Sequence, residues 1–543
     1  MAATPLQSDV LVAGGGLAGI VTALHCLRAG RRVTLVDRDT PERFGGLALW
    51  AFGGMALVGT PLQARMKIPD TPEQALADWV RFGELASGDT LALPWARRYV
   101  ERSRPDVYDW LLAHGLKFMP AVNWVERGRF GEGNRLPRYH IVWGTSRELT
   151  RRMIAALREA DGGSGRLTLL HRHRVTAIER SGGRVDGLLA TDEASGVALR
   201  LQAPVVVLAM GGLNGSHTQA RAHWPAGRPL PAAMLNGAHP FADGALHQQA
   251  AELGGQLRNV GEMWNYAAGF PHPQPHFDGH GLSAIPAKSA LWLNHRGERI
   301  GPEPLVTGFD THWLCQRVAS QDQPWTWHLL NWRIAAKEFA ISGAEHNQRI
   351  RDQQFPQFLK ETLLGNHRLV RQMQQQSPHF LVDDTLAGLA AKMNQLTGTA
   401  DVRPEVLQAT ADAFDANFAA GGSSLRLHDD DQIRRILHAR QWGPDRLRTC
   451  APAPLQMKGA GPFIAIHMQL ITRKSLGGLA TDLQSRVLDD AGTPIAGLYC
   501  VGEAAGFGGG GACGRRSLEG TFLPGCILTA HAAAASITGR TTP

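Results

Sequence analysis

Few folds are open to a chain that begins with the stretch Ser8–Asp37, SDVLVAGGGLAGIVTALHCLRAGRRVTLVD. Val10 to Ala13 is a short apolar run of the kind that makes a buried parallel strand. Gly14, Gly16 and Gly19 follow in G-x-G-x-x-G spacing, with Leu17 and Ala18 before the third glycine. A helical stretch then runs to Ala29 and is stopped by Gly30. Val33 to Val36 is a second strand, closed by Asp37. The three glycines serve different ends. Gly14 makes the tight turn, Gly16 lets backbone reach a pyrophosphate, and Gly19 lets helix pack closely on strand. The helix N-terminus offers N–H groups and partial positive charge to phosphates. Asp37 is placed to accept hydrogen bonds from an adenosine ribose. Strand, turn, helix, strand and acid in this order predict a dinucleotide site.

At 543 residues the chain calls for two or three domains around that unit. A hydrophobic fraction of 43% and a charged fraction of 19% are those of an ordinary globular protein. The net charge of +8 is spread without aromatic interleaving, which favours a solvated basic surface over nucleic-acid binding. The six cysteines (Cys26, Cys315, Cys450, Cys500, Cys513 and Cys526) form no C-x-x-C, so neither a disulfide framework nor a zinc site is expected from them. The first strand leaves no room for a signal peptide, and no run approaches 18 apolar residues. These features predict a cytoplasmic enzyme without a membrane span.

Further along, Phe44 to Val58 (FGGLALWAFGGMALV) is rich in glycine, and Gly45, Gly46, Gly53 and Gly54 permit close approach to a flat ligand. Thr71 to Gly115 reads as helices whose Trp79, Trp95 and Trp110 belong in the core. Leu167 to Ile178 and Val185 to Ala190 alternate like strands of one small sheet. Ala203 to Gly212 is a buried strand running into a double glycine. Residues 257 to 445 change character, being rich in Trp, His, Gln and Pro. The glycine-rich style then returns, and Pro524 sets the start of a last helix at about residues 520–523. The division expected is 1–256, the first part of a cofactor domain; 257–445, an inserted capping and substrate domain; and 446–543, the cofactor domain's C-terminal part.

Together these pieces resemble the flavoprotein superfamily of fumarate reductase, succinate dehydrogenase and 3-ketosteroid dehydrogenase, nearest to the bacterial ketosteroid-dehydrogenase-like FAD-binding dehydrogenases. The motifs that carry the resemblance are Gly14 to Gly19 with Asp37, the FGGLALWAFGGM loop, VVVLAMGG ending at Gly212, GLYCVGE ending at Glu503, and LEGTFL from Leu518 to Leu523. The resemblance implies an α/β fold: a discontinuous Rossmann-type FAD-binding domain with an inserted α+β capping domain, and noncovalent FAD between them. Gly14, Gly16, Leu17, Ala18, Gly19, Asp37 and Arg38 then serve the ADP half, with Val175, Ala209 and Gly211 beside it. Gly502 and Glu503 hold the ribityl chain, and Gly520, Thr521, Phe522 and Leu523 present N–H groups to the N1/C2=O edge of the flavin. Gly46, Leu47, Ala48, Gly53 and Gly54 border the isoalloxazine; Leu47 stands where covalent members carry a histidine.

Departures from the pattern narrow the chemistry. No arginine follows Arg299-Ile-Gly-Pro-Glu303 at the fumarate reductases' proton-donor position. Their second carboxylate-binding arginine corresponds to Ser517, and their histidine pair to Arg473-Lys474. Dicarboxylate reduction is therefore not expected. The steroid enzymes' tyrosine in their G-P-F/Y-Y-A motif corresponds to Ile464, so their mechanism does not transfer whole.

Tyr266 is the one tyrosine in the expected cap, either a proton-transfer group or a core or rim residue. Arg473 and Lys474 are catalytic candidates at the flavin edge, with Arg473 on the substrate and Lys474 on the flavin. If the segment is extended, at most one of them faces the pocket. Trp50 and Phe52 either wall an apolar substrate pocket or pack in the core. His467 is a substrate-side candidate, although a structural histidine fits its alternating stretch better. His272, His276 and His280 have proline-rich spacing and no carboxylate or cysteine partner, so a polar loop and no metal is expected. The function expected is FAD-dependent dehydrogenation of a CH–CH bond next to a carbonyl or carboxylate of a small molecule, with an external electron acceptor or donor. A ketosteroid-like cyclic compound is one such substrate. An ene-reductase running the other way and a non-catalytic flavin carrier are the alternatives.

Overall fold

The computed structural model describes residues 5–129, 131–418, 430–516 and 518–540. Its opening strand β1 (Val10–Ala13) is buried along its whole length and runs through the tight turn at Gly14 into helix α1 (Leu17–Arg28). α1 buries every residue from Leu17 to Leu27, so it is a core helix rather than an amphipathic surface one. Close packing requires Gly19: a Cβ there falls 2.0 Å from the Gly14 carbonyl oxygen. The chain returns as β2 (Val33–Val36), parallel to β1 with Val10 opposite Val33. β3 (Leu167–Leu170) and β4 (Val206–Leu208) extend the sheet on either side, both parallel.

The inserted region carries a second, mixed sheet. Its strands include β5 (Met263–Pro271), β6 (Gly281–Ile285), β7 (Trp325–Asn331) and β8 (Phe463–Ser475), in the order Leu291–Leu293, β7, β8, β5, β6, Ala340–Ile341. Two short strands, Leu235–Asn236 and Phe380–Asp383, also pair with β8. β9 (Pro494–Cys500) then re-enters the first sheet beside β4, and the chain ends in helix α2 (Phe522–Thr538), which packs on α1. The first sheet therefore reads Arg486–Leu488, β9, β4, β1, β2, β3, with a parallel core and one antiparallel edge strand.

Two expectations shift. Leu167–Ile178 is not one strand of a small sheet: β3 joins the first sheet, whereas His173–Ser181 pairs with Arg184–Asp192 and, through it, Ala198–Gln202. The break falls at Arg172, whose φ of 59° cannot continue an extended strand. The inserted domain also reaches beyond residue 445. β8 is the strand on which its sheet is built, and Ile464, Ala465, Ile466, Met468 and Leu470 lie in its apolar core with Cys450 and Leu455. Alternation of polar and apolar residues along β8 is masked because both faces are covered by protein.

Candidate functional site

A cleft with about 1640 Å³ of atom-free space, its open mouth included, runs from the Gly14–Ala18 turn to the last residues of β8. Its first half is a cradle of backbone. Gly14, with φ +111°, has no room for a Cβ, which falls 2.4 Å from the Ala209 oxygen. Gly16 is the reverse case: nothing lies within 4 Å of where its Cβ would point, so the turn opens a space above the N-terminus of α1 that no side chain caps. That is the shape and polarity a pyrophosphate requires.

Asp37 lies at the end of β2 and lines the same space. One of its carboxylate oxygens accepts the Gly15 amide and the other the Asp39 amide, the latter at 2.8 Å. Arg38 also lines the cleft, with its guanidinium paired with Glu193 at 2.8 Å and 4.4 Å above the Phe241 ring. Val175, Ala209 and Gly211 line this end as well.

Gly46, Leu47, Ala48, Phe52, Gly53 and Gly54 form one wall of the second half, and Gly520, Phe522 and Leu523 form another. The Phe522 and Leu523 amides, at the start of the 17-residue helix α2, meet no protein acceptor among the described residues. They provide a second concentration of free donors. Glu503 lines the cleft between the two halves and accepts the Ser475 amide at 2.9 Å. Burial raises its carboxyl to about 7 against the pull of Lys474.

At the far end the cations come in from the inserted sheet. Opposite the pair Trp264–Asn265 of β5, β8 carries one extra residue: Lys474 pairs with Trp264 and Thr472 with Asn265, leaving Arg473 as a bulge. A bulge breaks the strict alternation of faces. Arg473 and Lys474 therefore both line the cleft, where a regular extended segment would offer only one of them. Lys474 Nζ lies 4.5 Å from the Phe522 ring centre, on the α2 side, and the Arg473 guanidinium 5.7 Å from the Tyr266 ring. Burial, with Arg473 adding to it, lowers Lys474 to about 8. The Arg473 guanidinium makes no hydrogen bond or ion pair among the described residues, and its buried Nε has no partner.

Tyr266 lines the cleft from β5 and donates its hydroxyl hydrogen to Glu519 Oε2 at 2.7 Å; Trp264 Nε1 donates to the same oxygen at 3.1 Å. Burial, reinforced by the Glu519 charge, raises the Tyr266 phenol well above its ordinary value. Tyr139 also lines the cleft, against Gly54 and Gly520, and is raised in the same way.

Several expected residues lie elsewhere. His467 is not in the cleft. It is buried in the inserted domain, its Nδ1 3.1 Å from His379 Nδ1 and its ring 4.9 Å from that of Trp327, and burial lowers it to about 3. Trp50 is outside the cleft lining, stacked on His239 at 5.4 Å and His276 at 5.7 Å. Thr521 is fully buried, with its amide and hydroxyl both spent on the Leu518 carbonyl. Gly502 packs against Ala18 and Cys526 and gives its amide to Thr529, leaving Glu503 alone of that pair at the cleft; Gly19 likewise packs beneath the turn. Ser517 lies outside the described residues. Sequence reasoning missed Glu519, Tyr139, His239 and Phe241. Glu519 was within reach, because it sits inside the LEGTFL motif itself.

The model of the FAD binding domain family matches residues 9–523. The chain belongs to this family. It is 37% identical over 549 aligned positions to a KsdD-like steroid dehydrogenase of Mycobacterium tuberculosis, covering 97% of this chain and 95% of that protein. In fold it is similar to the 3-ketosteroid-delta4-(5alpha)-dehydrogenase of Rhodococcus jostii RHA1, with a TM-score of 0.63 and 20% identity over 99% of this chain and 98% of that one. A flavocytochrome c3 fumarate reductase gives a TM-score of 0.68 at 20% identity, covering 100% of this chain and 80% of that one. This family member is an FAD-dependent oxidoreductase acting on CH–CH bonds. The uncapped turn at Gly14–Ala18, the carboxylate of Asp37 and the free amides of α2 suit FAD's pyrophosphate, ribose and flavin edge respectively. Among the described residues no helix is long and apolar enough to cross a membrane.

Proposed function

We propose that the enzyme takes two hydrogens from adjacent carbons beside the ketone of a flat, polycyclic substrate of the 3-ketosteroid kind, using noncovalent FAD. The observation that carries this reading is the pairing of an uncommitted Arg473 guanidinium with the Tyr266–Glu519 hydrogen bond at one end of a cleft whose other end fits FAD. The substrate class is drawn from the steroid dehydrogenases that the chain is similar to. The aliphatic Leu47 at the flavin wall favours a noncovalent cofactor.

When bound, FAD supplies the hydride acceptor. Arg473 holds the substrate carbonyl oxygen and stabilises the negative charge that builds there as the neighbouring carbon loses its proton. The Tyr266 oxygen accepts that proton while its own proton passes along the 2.7 Å hydrogen bond to Glu519. Because burial keeps the phenol protonated at rest, the carboxylate behind it is the final base. Lys474, beside Phe522, places positive charge on the flavin side of the cleft. Phe507, Phe522 and Leu523 keep water from the reacting carbons. An external acceptor then reoxidises the enzyme. All six cysteines are free thiols, which suits work in the cytoplasm.

Anaerobic mixing with 3-ketosteroids, simple cyclohexanones and saturated carboxylic acids tests the reading. Bleaching of the flavin band by the ketones supports it. Bleaching by the acids alone, or by none of the panel, overturns it.

A further inference from the structure

Three strand ends converge beside Trp50, outside the cleft lining. β5 and β6 form a hairpin whose loop holds His272, His276 and His280; His272 follows the last residue of β5 and His280 precedes the first of β6, and the His272 amide donates to the His280 carbonyl at 3.0 Å. The strand Ala340–Ile341 pairs with β6 and delivers Glu345 and His346 to the same edge. The 341–347 turn is held in place from within: Asn347 Nδ2 donates to the Ile341 carbonyl at 2.8 Å and to that of Gly343 at 2.6 Å.

The side chains meet accordingly. One ring nitrogen from each of His272, His276 and His280 lies within 4.8 Å of the others, and so do His272, Glu345 and His346 through one ligand atom each. Glu345 Oε2 is 3.1 Å from His272 Nε2 and 3.8 Å from His276 Nε2, and its Oε1 is 3.9 Å from His346 Nε2. The absence of a carboxylate near the histidines, expected from sequence, is thus corrected by a residue 65 positions after His280.

An independent observation points to a ligand here. His346 is 5% exposed, and neither of its ring nitrogens has a hydrogen-bond partner. A neutral imidazole buried with both nitrogens unsatisfied is costly, and a metal ion would take the lone pair of one of them. Neutral imidazoles with one carboxylate are the donor set of borderline divalent ions, and three or four such groups from a rigid edge match a tetrahedral preference. The hard cations Ca²⁺ and Mg²⁺ require more oxygen than a single glutamate supplies.

We propose that His272, Glu345 and His346 bind one zinc-type divalent transition-metal ion, with His276 beside them and His280 stacked against His272 as its support at a ring distance of 4.5 Å. At present the His272 Nδ1 accepts the Gln274 amide, so its proton sits on Nε2 toward Glu345; metal binding at Nε2 moves that proton to Nδ1 and gives up the amide contact. The ion ties the β5–β6 loop to the 341–347 turn. The Trp50 carbonyl accepts the Ala344 amide at 2.8 Å and the Trp50 ring stacks on His276, so the ion also fixes the Trp50 end of the flavin loop against the inserted domain.

The test uses the flavin-loaded protein after chelator treatment and dialysis. It is titrated with Zn²⁺ by calorimetry and with Co²⁺ by absorption at wavelengths beyond the flavin band. One equivalent of Zn²⁺ per chain is expected, with a tetrahedral-type Co²⁺ band that Zn²⁺ displaces. Glu345→Gln, at an exposed side chain, should weaken binding at least tenfold, and His346→Asn should remove the Co²⁺ band. Absence of saturable binding overturns the proposal, and so does wild-type affinity in Glu345→Gln and His346→Asn, which would place the ion elsewhere.

Discussion

The Tyr266 hydroxyl and Glu519 Oε2 are 2.7 Å apart, although 253 residues separate them in the chain, and one belongs to the inserted sheet while the other precedes the last helix of the cofactor domain. The hydrogen bond joins the two bodies at the place where proton transfer is proposed. Tyr266→Phe keeps the ring and removes the relay. Turnover should fall at least tenfold while the flavin spectrum stays that of wild type. Rapid-reaction reduction of the flavin by substrate measures it, and an unchanged rate removes Tyr266 from the mechanism.

Arg473→Met keeps apolar bulk and deletes the guanidinium. Since Arg473 makes no ion pair among the described residues, the fold loses little. The loss should appear in kcat/KM, by about 10–100-fold, or roughly 1.4–2.7 kcal/mol for a charge-assisted contact made in the transition state. Steady-state kinetics with the best substrate of the ketone panel are the measurement. Wild-type values would leave the substrate anchor to another residue.

Glu503 and Lys474 give stability a shape against pH. Glu503 titrates at about 7 in the folded chain against an ordinary 4.5, so folding takes up a proton between those values. Its contribution is fully present below about pH 4.5 and is lost as pH rises to about 7. Lys474, lowered to about 8 from 10.5, acts in the opposite sense at higher pH: stability is regained as pH climbs from about 8 to about 10.5. Glu503→Gln should therefore gain on wild type between about pH 5 and pH 8, by up to about 3 kcal/mol. Melting curves of the two proteins at both pH values decide it. A pH-independent difference would mean that Glu503 ionises normally.

Asp37→Ala should weaken FAD retention by about 1.5–3 kcal/mol, the value of charged-acceptor hydrogen bonds to the ribose. Its carboxylate also receives the Gly15 and Asp39 amides, so the phosphate turn loosens as well. Fluorescence of released flavin on dilution measures the effect, and Asp37→Asn, which retains an acceptor oxygen, should recover part of it.

What the sequence made legible was local. The Gly14–Asp37 unit lies within thirty residues, its periodicities and glycines are read in register, and the observed strands and helix coincide with them. The start of α2 was set by one proline. The cleft wall from Gly46 to Gly54 was reachable for the same reason. The substrate end was harder to read, because it is assembled from segments far apart. A bulge at Arg473 is a mismatch between two strands, and neither strand carries it alone. His467, whose alternating stretch fitted a structural histidine better than a substrate-side one, is buried beside His379 and Trp327, away from the cleft. Glu345 came to the three histidines through strand pairing that no spacing rule encodes.

β8 is thirteen residues long; its earlier residues are buried in the inserted domain, and Arg473 and Lys474, near its end, stand at the cofactor cleft. A paired strand moves as a rod. Any swing that lifts the inserted sheet to admit substrate must draw both cations away from the cleft with it, and must break the Tyr266–Glu519 contact in the same stroke. A sheet lifted in that way would take the guanidinium, the ammonium and the Tyr266 hydroxyl out of the cleft together, and its return would bring all three back at once.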